Sequence, residues 1–254
     1  MATKIAINLQ ILLIIIVIVL IIIYFDASDA RKRAKRRSVN NGSFHFYKTS
    51  LRWPRTYCNT KSRKSCETPI VSRFLVHGLW PAYLNPHETV PPFNISGCTT
   101  TQPTPKYVVP SQASFFGSRI QDKKTYWSDP IEYSNMETNM RAWKYQWVNH
   151  GMCWAYPVEP LLYFDAPVDY IKNHDLLQIL AAAGPTIIPV TDHKYDRDHI
   201  AQTLIDAIGG IPEIDCYQND LWQIRVCFDK SNQVMNCPIK FHTGCNQDIG
   251  FPPA

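Results

Sequence analysis

Apolar residues are laid out along this chain in two distinct manners. From Ile5 to Phe25 they run almost without interruption, too long and too apolar for an ordinary core helix. Beyond residue 43 they come in short clusters with a period. Ser-Phe-His-Phe-Tyr at 43–47 and the stretch 74–76 are aromatic or branched runs bounded by polar residues, and Ile224, Val226 and Phe228 alternate with Arg225 and Cys227. All three predict strands. Tyr170, Ile171, Leu177 and Leu180 fall at helical spacings between Asp169 and Ala183, with Gly184-Pro185 as a stop, and His199 to Ile208 gives a second helix ended by Gly209-Gly210. If helical, the segment from Trp143 to His150 puts Trp143, Gln146, Trp147 and His150 on one face, at i, i+3, i+4 and i+7.

The stretch 85–112 is rich in Pro, Thr and Ser and has little periodicity, which predicts a long surface excursion tied down by Cys98. There is no internal repeat. Strands and helices do not alternate strictly, so the pattern favours an α+β fold over a doubly wound sheet.

The apolar run at the start is a targeting segment, because about 20 apolar residues serve as a signal-peptide core or as a membrane span. Lys4 before it, and Ser28 and Ala30 at a spacing suited to cleavage, favour a signal peptide over residues 1–30. The basic run Arg31, Lys32, Arg33, Lys35, Arg36 and Arg37 favours the alternative, an uncleaved anchor with a cytoplasmic flank. Eight cysteines, an even count, decide for the oxidising, secreted side. Residues 31–42 then form a basic linker, and 43–254 a single domain of roughly 210 residues with room for a sizeable core. The sequons at Asn41 and Asn94 agree with passage through the secretory route as glycosylation sites.

Loss of residues 1–30 removes one lysine and two aspartates, which raises the formal net charge of +5 by one. A basic protein favours a polyanionic partner, although residues 31–37 on their own read as a solvated tail. Cys58, Cys66, Cys98, Cys153, Cys216, Cys227, Cys237 and Cys245 contain no Cys-x-x-Cys pair, so disulfides are expected rather than a metal site. Spacing alone selects none of the 105 pairings that eight cysteines allow. Asp192, Asp196 and Asp198 near His193 match no metal-ligand pattern and read as the solvated approach to a helix. No cofactor is implied.

The candidate chemistry sits in two segments. Phe74-Leu-Val-His77-Gly-Leu-Trp80-Pro81 is a strand that delivers a histidine, and Trp143-Lys-Tyr145-Gln146-Trp147-Val-Asn149-His150-Gly-Met-Cys153 delivers a second. Two imidazoles titrating near neutrality can act one as base and one as acid, which is what in-line transesterification of RNA requires. The histidines at 45, 87, 174, 193, 199 and 242 lie outside these segments and read as structural or surface residues.

His77-Gly-Leu-Trp-Pro and Trp147-x-x-His150-Gly-x-Cys153 resemble the two active-site segments of the T2 ribonucleases. The likeness continues through Trp53-Pro54, Tyr57-Cys58, Arg225-Val-Cys-Phe-Asp and Phe251-Pro252, over nearly all of 43–254, and is greatest to the plant S-type enzymes. It implies an α+β fold with an antiparallel sheet core and flanking helices, stapled by Cys58–Cys66, Cys98–Cys153, Cys216–Cys245 and Cys227–Cys237. It also implies a monomeric endoribonuclease acting on single-stranded RNA. His150 would be the general base and His77 the acid, with Gln146 as a further catalytic residue and Trp80, Tyr145 and Asn149 as substrate-binding residues. Positions 145, 146 and 149 most often carry histidine, glutamate and lysine in that family. Asn149 therefore replaces a cation, unless a neighbour such as Lys144 fills its role. Two functions follow: an active secreted enzyme, in nutrition, defence or pistil self-incompatibility with a pollen-side partner, or a recognition protein with weak catalysis on the same scaffold.

Overall fold

The computed structural model describes residues 44–60, 66–85, 88–106 and 113–254. The apolar run 5–25, the basic run 31–37, Asn41 and His87 lie outside the described residues. In chain order the elements are β1 (Phe46–Arg52), α1 (Pro54–Asn59), β2 (Leu75–Ala82), α2 (Phe93–Ser96), α3 (Ile120–Tyr126), α4 (Met136–Asn149), α5 (Pro160–Asn173), α6 (Leu176–Ala181), β3 (Lys194–Asp196), α7 (Arg197–Ile208), β4 (Glu213–Tyr217), β5 (Asp220–Phe228), β6 (Val234–Met235) and β7 (Asp248–Gly250). This is an α+β fold. Its sheet runs β2-β1-β5-β7-β3, with β4 and β6 also paired to β5. Pairing between these strands is antiparallel except for the parallel contact between β5 and β7, and an isolated parallel bridge joins Ile214 of β4 to Phe241.

All seven residues of β1 are buried, because the strand is covered on both sides. Tyr47 and Leu51 join Val76, Leu79 and Ile224 in the main core, against Trp143 and Trp147 of α4 and Tyr163, Phe164 and Val168 of α5. Lys48, Ser50 and Arg52 point to the other side, where polar partners replace hydrocarbon. Lys48 Nζ donates to Glu213 Oε2 at 2.9 Å, and Glu213 also receives Arg225. A buried charge is tolerated when it is paired in this way. Polar positions that are nonetheless buried explain why the sequence places the strand early, at 43–47, rather than over Phe46–Arg52.

Two further expectations are corrected. The helix predicted from Asp169 to Ala183 is two helices: α5 begins earlier, at Pro160, and the chain breaks at His174-Asp175, where the Asp175 side chain accepts from Leu177 N and Gln178 N to start α6. Such a cap satisfies backbone donors that a new helix leaves free. The excursion after residue 85 is not wholly on the surface, since Val90, Cys98 and Thr99 are buried. The second predicted helix is α7, with Asp196 as its cap and Gly209 in the left-handed region at φ 76° as its stop. Asp198 pairs with Lys240 on the surface. The eight cysteines form Cys58–Cys66, Cys98–Cys153, Cys216–Cys245 and Cys227–Cys237. Among the described residues no helix is long and apolar enough to cross a membrane.

Candidate active site

A β-bulge creates the first half of the site. Ser50 pairs with Gly78 and Leu51 with Val76, so His77 is the extra residue between them. Without that insertion, strict alternation would turn Leu79 outward and Trp80 inward. With it, Val76 and Leu79 both face the core, while His77 and Trp80 share the polar side with Ser50. Gly78 is required here, because a Cβ would overlap Gln146 Oε1 and Trp80 Nε1.

The second half comes from α4. Asn135 caps the helix by accepting from Glu137 N and Thr138 N. Trp143, Gln146 and Trp147 are buried on one face as the spacing predicts, and His150 is the C-cap residue, just beyond the last helical turn. Gly151 lets the chain turn against the Trp147 ring, which a Cβ there would meet. Cys153 then ties the segment to Cys98.

The two halves meet at Trp80. Its ring centroid is 5.1 Å from that of His77 and 5.6 Å from that of His150, and its Nε1 donates to Gln146 Oε1 at 3.2 Å. Beneath them the buried Tyr163 hydroxyl reaches the Leu79 carbonyl at 2.9 Å and the Gln146 carbonyl at 3.3 Å. One phenol of α5 therefore touches both segments that carry the histidines.

His77 Nδ1 lies 2.9 Å from Gln223 Oε1, which also accepts from Ser50 Oγ at 2.6 Å. Nδ1 is thus the protonated nitrogen, and Nε2 is left for chemistry. Burial pushes the His77 imidazole down to about 3, the Arg52 guanidinium adds to this, the Gln223 hydrogen bond opposes it, and Arg225 and His150 lower it further. Burial alone holds His150 at about 4, and its Nδ1 has no hydrogen-bond partner among the described residues. Charges removed from water favour their neutral forms, which is the common cause.

Of the other sequence candidates, Tyr145 is 62% exposed and lines a cavity of about 230 Å³ together with His77 and Gln146. Asn149 commits its amide to the Tyr145 carbonyl at 2.8 Å, and Lys144 is exposed on α4. Asn94, in α2, is exposed.

Sequence reasoning missed four residues. Arg52, Gln223, Arg225 and Tyr163 all contact or flank the site. The alternation of Gln223 and Arg225 with Ile224 and Val226 marks a polar strand face, but nothing local shows that this face lies 146 residues away from its partner His77. Arg225 pairs with Glu213 and with Asp215, the latter at 2.7 Å, approaches His242 Nε2 at 2.8 Å and lies 5.7 Å from the Trp80 ring centroid. His242, read as a structural or surface residue, belongs to this network as a structural one. Burial pushes the Glu213 carboxyl up, but His242, Arg225 and Lys48 outweigh it and hold the group at about 2.

The α+β scaffold is stapled by four disulfides and brings two imidazoles, His77 and His150, close to one indole. Residues 44–237 match the model of the Ribonuclease T2 family. Ribonuclease S-2 of Antirrhinum hispanicum is 27% identical over 206 residues, covering 80% of each chain. Extracellular ribonuclease LE of Solanum lycopersicum is 30% identical over 224 residues, covering 82% of this chain and 87% of the relative. Among solved structures, RNase NT in complex with 5'-AMP superposes with a TM-score of 0.64 at 26% identity, over 84% of this chain and all of that one. The chain therefore belongs to the ribonuclease T2 family and is a T2-type endoribonuclease.

Proposed function

We propose that this protein is a secreted enzyme that cleaves single-stranded RNA through a 2',3'-cyclic phosphate, with His150 as base and His77 as acid. The observation that carries this reading is the pair of imidazoles whose ring centroids lie 5.1 and 5.6 Å from that of Trp80. Neutral His150 takes the ribose 2'-hydroxyl proton, and the freed oxygen attacks phosphorus. As the bond to the 5'-oxygen breaks, protonated His77 gives that oxygen its proton through Nε2. Trp80 supplies a π-face on which a base stacks, a contact worth about 1–3 kcal/mol and tolerant of sequence. Gln146 accepts from Trp80 through its carbonyl, so its amide hydrogens are free to meet a phosphate oxygen. Tyr145, at the rim of the cavity, and Asn149 complete the substrate-binding set.

Secretion is supported by the apolar run at residues 5–25 and by the four disulfides, which persist in oxidising compartments. The name of the tomato relative agrees with it, and the S-type likeness supports a role in pistil self-incompatibility, with a pollen-side protein as partner. A second reading, a recognition protein with vestigial catalysis, draws on Asn149, whose amide is tied to its own helix where a cation is common in the family. Incubation with a defined single-stranded RNA, followed by mass analysis of the ends, decides between them. Cyclic-phosphate ends are expected; intact RNA under every condition of pH and salt would refute the enzymatic reading.

A further inference from the structure

We propose that Arg52 is the cation that holds the scissile phosphate of RNA, a role that rests on the endoribonuclease reading above. Arg52 ends β1 and is only 6% exposed. Among the described residues no carboxylate oxygen lies within 4.0 Å of it, and its Nε has no hydrogen-bond partner. One terminal nitrogen donates to the Ser128 carbonyl at 3.2 Å, and the Tyr57 ring lies under the guanidinium, its centroid 4.5 Å away. The group lines the same cavity as His77 and Gln146, and Asp129, across that cavity, acts on it only at longer range. Tyr57 also hydrogen-bonds the guanidinium, and an arginine keeps its proton in such surroundings, so a buried positive charge with no carboxylate in ion-pair contact among the described residues faces the site. Buried charges are otherwise paired or bound to a ligand, and a phosphate oxygen is the partner a guanidinium fork fits.

The neighbouring cations are already engaged. Arg225 is neutralised by Glu213 and Asp215, and Lys48 by Glu213. Lys144 is exposed. In the reaction the 2'-oxygen forms a bond to phosphorus while the bond to the 5'-oxygen breaks. His150 takes one proton, His77 gives one, and Arg52 exchanges none. What changes is charge on the non-bridging oxygens, which grows toward the transition state and is met there by the guanidinium. The groups facing His77 are Arg52, Arg225, His150 and Gln223. A phosphate bound at Arg52 offsets the positive charge that disfavours protonation of His77, so the substrate itself helps to arm the acid.

The test compares parent, Arg52→Gln and Arg52→Lys in single-turnover cleavage of dinucleotides that differ in the base on the 3' side, and in thermal unfolding with and without inorganic phosphate. Arg52→Gln is expected to slow the chemical step by about 10²–10³-fold on every dinucleotide alike, with Arg52→Lys recovering most of the loss. Phosphate is expected to raise the melting temperature of the parent and of Arg52→Lys but not of Arg52→Gln. Parental rates in Arg52→Gln, a loss confined to one base, or equal stabilisation of parent and Arg52→Gln by phosphate would each overturn the proposal. If circular dichroism shows Arg52→Gln unfolded, Arg52→Lys decides: folded but without phosphate stabilisation, it overturns the proposal, and with it, it supports it. A parent that cleaves none of the dinucleotides refutes the endoribonuclease reading, while the phosphate measurement still tests the anion site.

Discussion

Acidification tests the acid–base pair most directly, because the structure places both imidazoles well below their ordinary range. On the proposed assignment of acid and base, productive free enzyme needs His77 protonated and His150 neutral. Activity is thus lost as pH rises through the value of His77 and lost as pH falls through that of His150. Two unperturbed imidazoles near 6.5 would put the productive fraction at about a quarter, close to neutrality. With His77 at about 3 and His150 at about 4, the fraction peaks at about 6% near pH ~3.5. Above that it falls roughly tenfold per pH unit, to about 10⁻⁴ at neutrality. Because kcat/KM reports the free enzyme, it is expected to climb steeply as pH is lowered from about 7 toward 5. The kcat profile reports the complex, where the phosphate charge favours both imidazolium forms, so its optimum is expected at a higher pH. Both are read from initial rates on one dinucleotide, with circular dichroism at each pH to confirm folding. A kcat/KM that is flat, or maximal at neutral pH or above, would refute the reasoning.

His77→Ala and His150→Ala are each expected to lower kcat by about 10²–10⁴-fold with an unchanged circular dichroism spectrum, and a variant that kept parental turnover would reassign the acid or the base. Tyr163→Phe removes the hydroxyl that donates to the buried Leu79 carbonyl at 2.9 Å, while the Gln146 carbonyl keeps the His150 amide, so a loss of about 1–3 kcal/mol in urea unfolding is expected, together with slower cleavage. Replacing Cys98 and Cys153 together by serine is expected to cost about 2–4 kcal/mol and to speed proteolysis near His150, which limited digestion followed by mass spectrometry would locate.

The histidine segments were legible because their signals are local. A glycine after each histidine and a helical spacing through Trp143, Gln146, Trp147 and His150 are short-range facts, and the fold uses them as they stand. What escaped is long-range or runs against the usual pattern. Lys48 and Ser50 fall beyond the strand predicted at 43–47, yet they are strand positions whose polar atoms are met by Glu213 and Gln223, more than 160 residues later. The bulge at His77 leaves no mark in composition, since it is defined by the register of β1 against β2. Helical periodicity runs on across His174-Asp175, which is why two helices looked like one; the aspartate cap was the sign of the break. Tyr163 has no neighbour in sequence that hints at two carbonyl partners.

β1 serves two masters in alternate residues. Tyr47, Thr49 and Leu51 look toward the helices, while Lys48, Ser50 and Arg52 look toward the side that carries Glu213, Gln223 and His77. Substitutions along these six positions should therefore segregate by parity. One set would register in the melting temperature, the other in the chemical step and its dependence on pH. Under the role proposed for Arg52, selection can then retune that side of the strand without reopening the core, because the strand's backbone, held on one side by β2 and on the other by β5, insulates one set of side chains from the other.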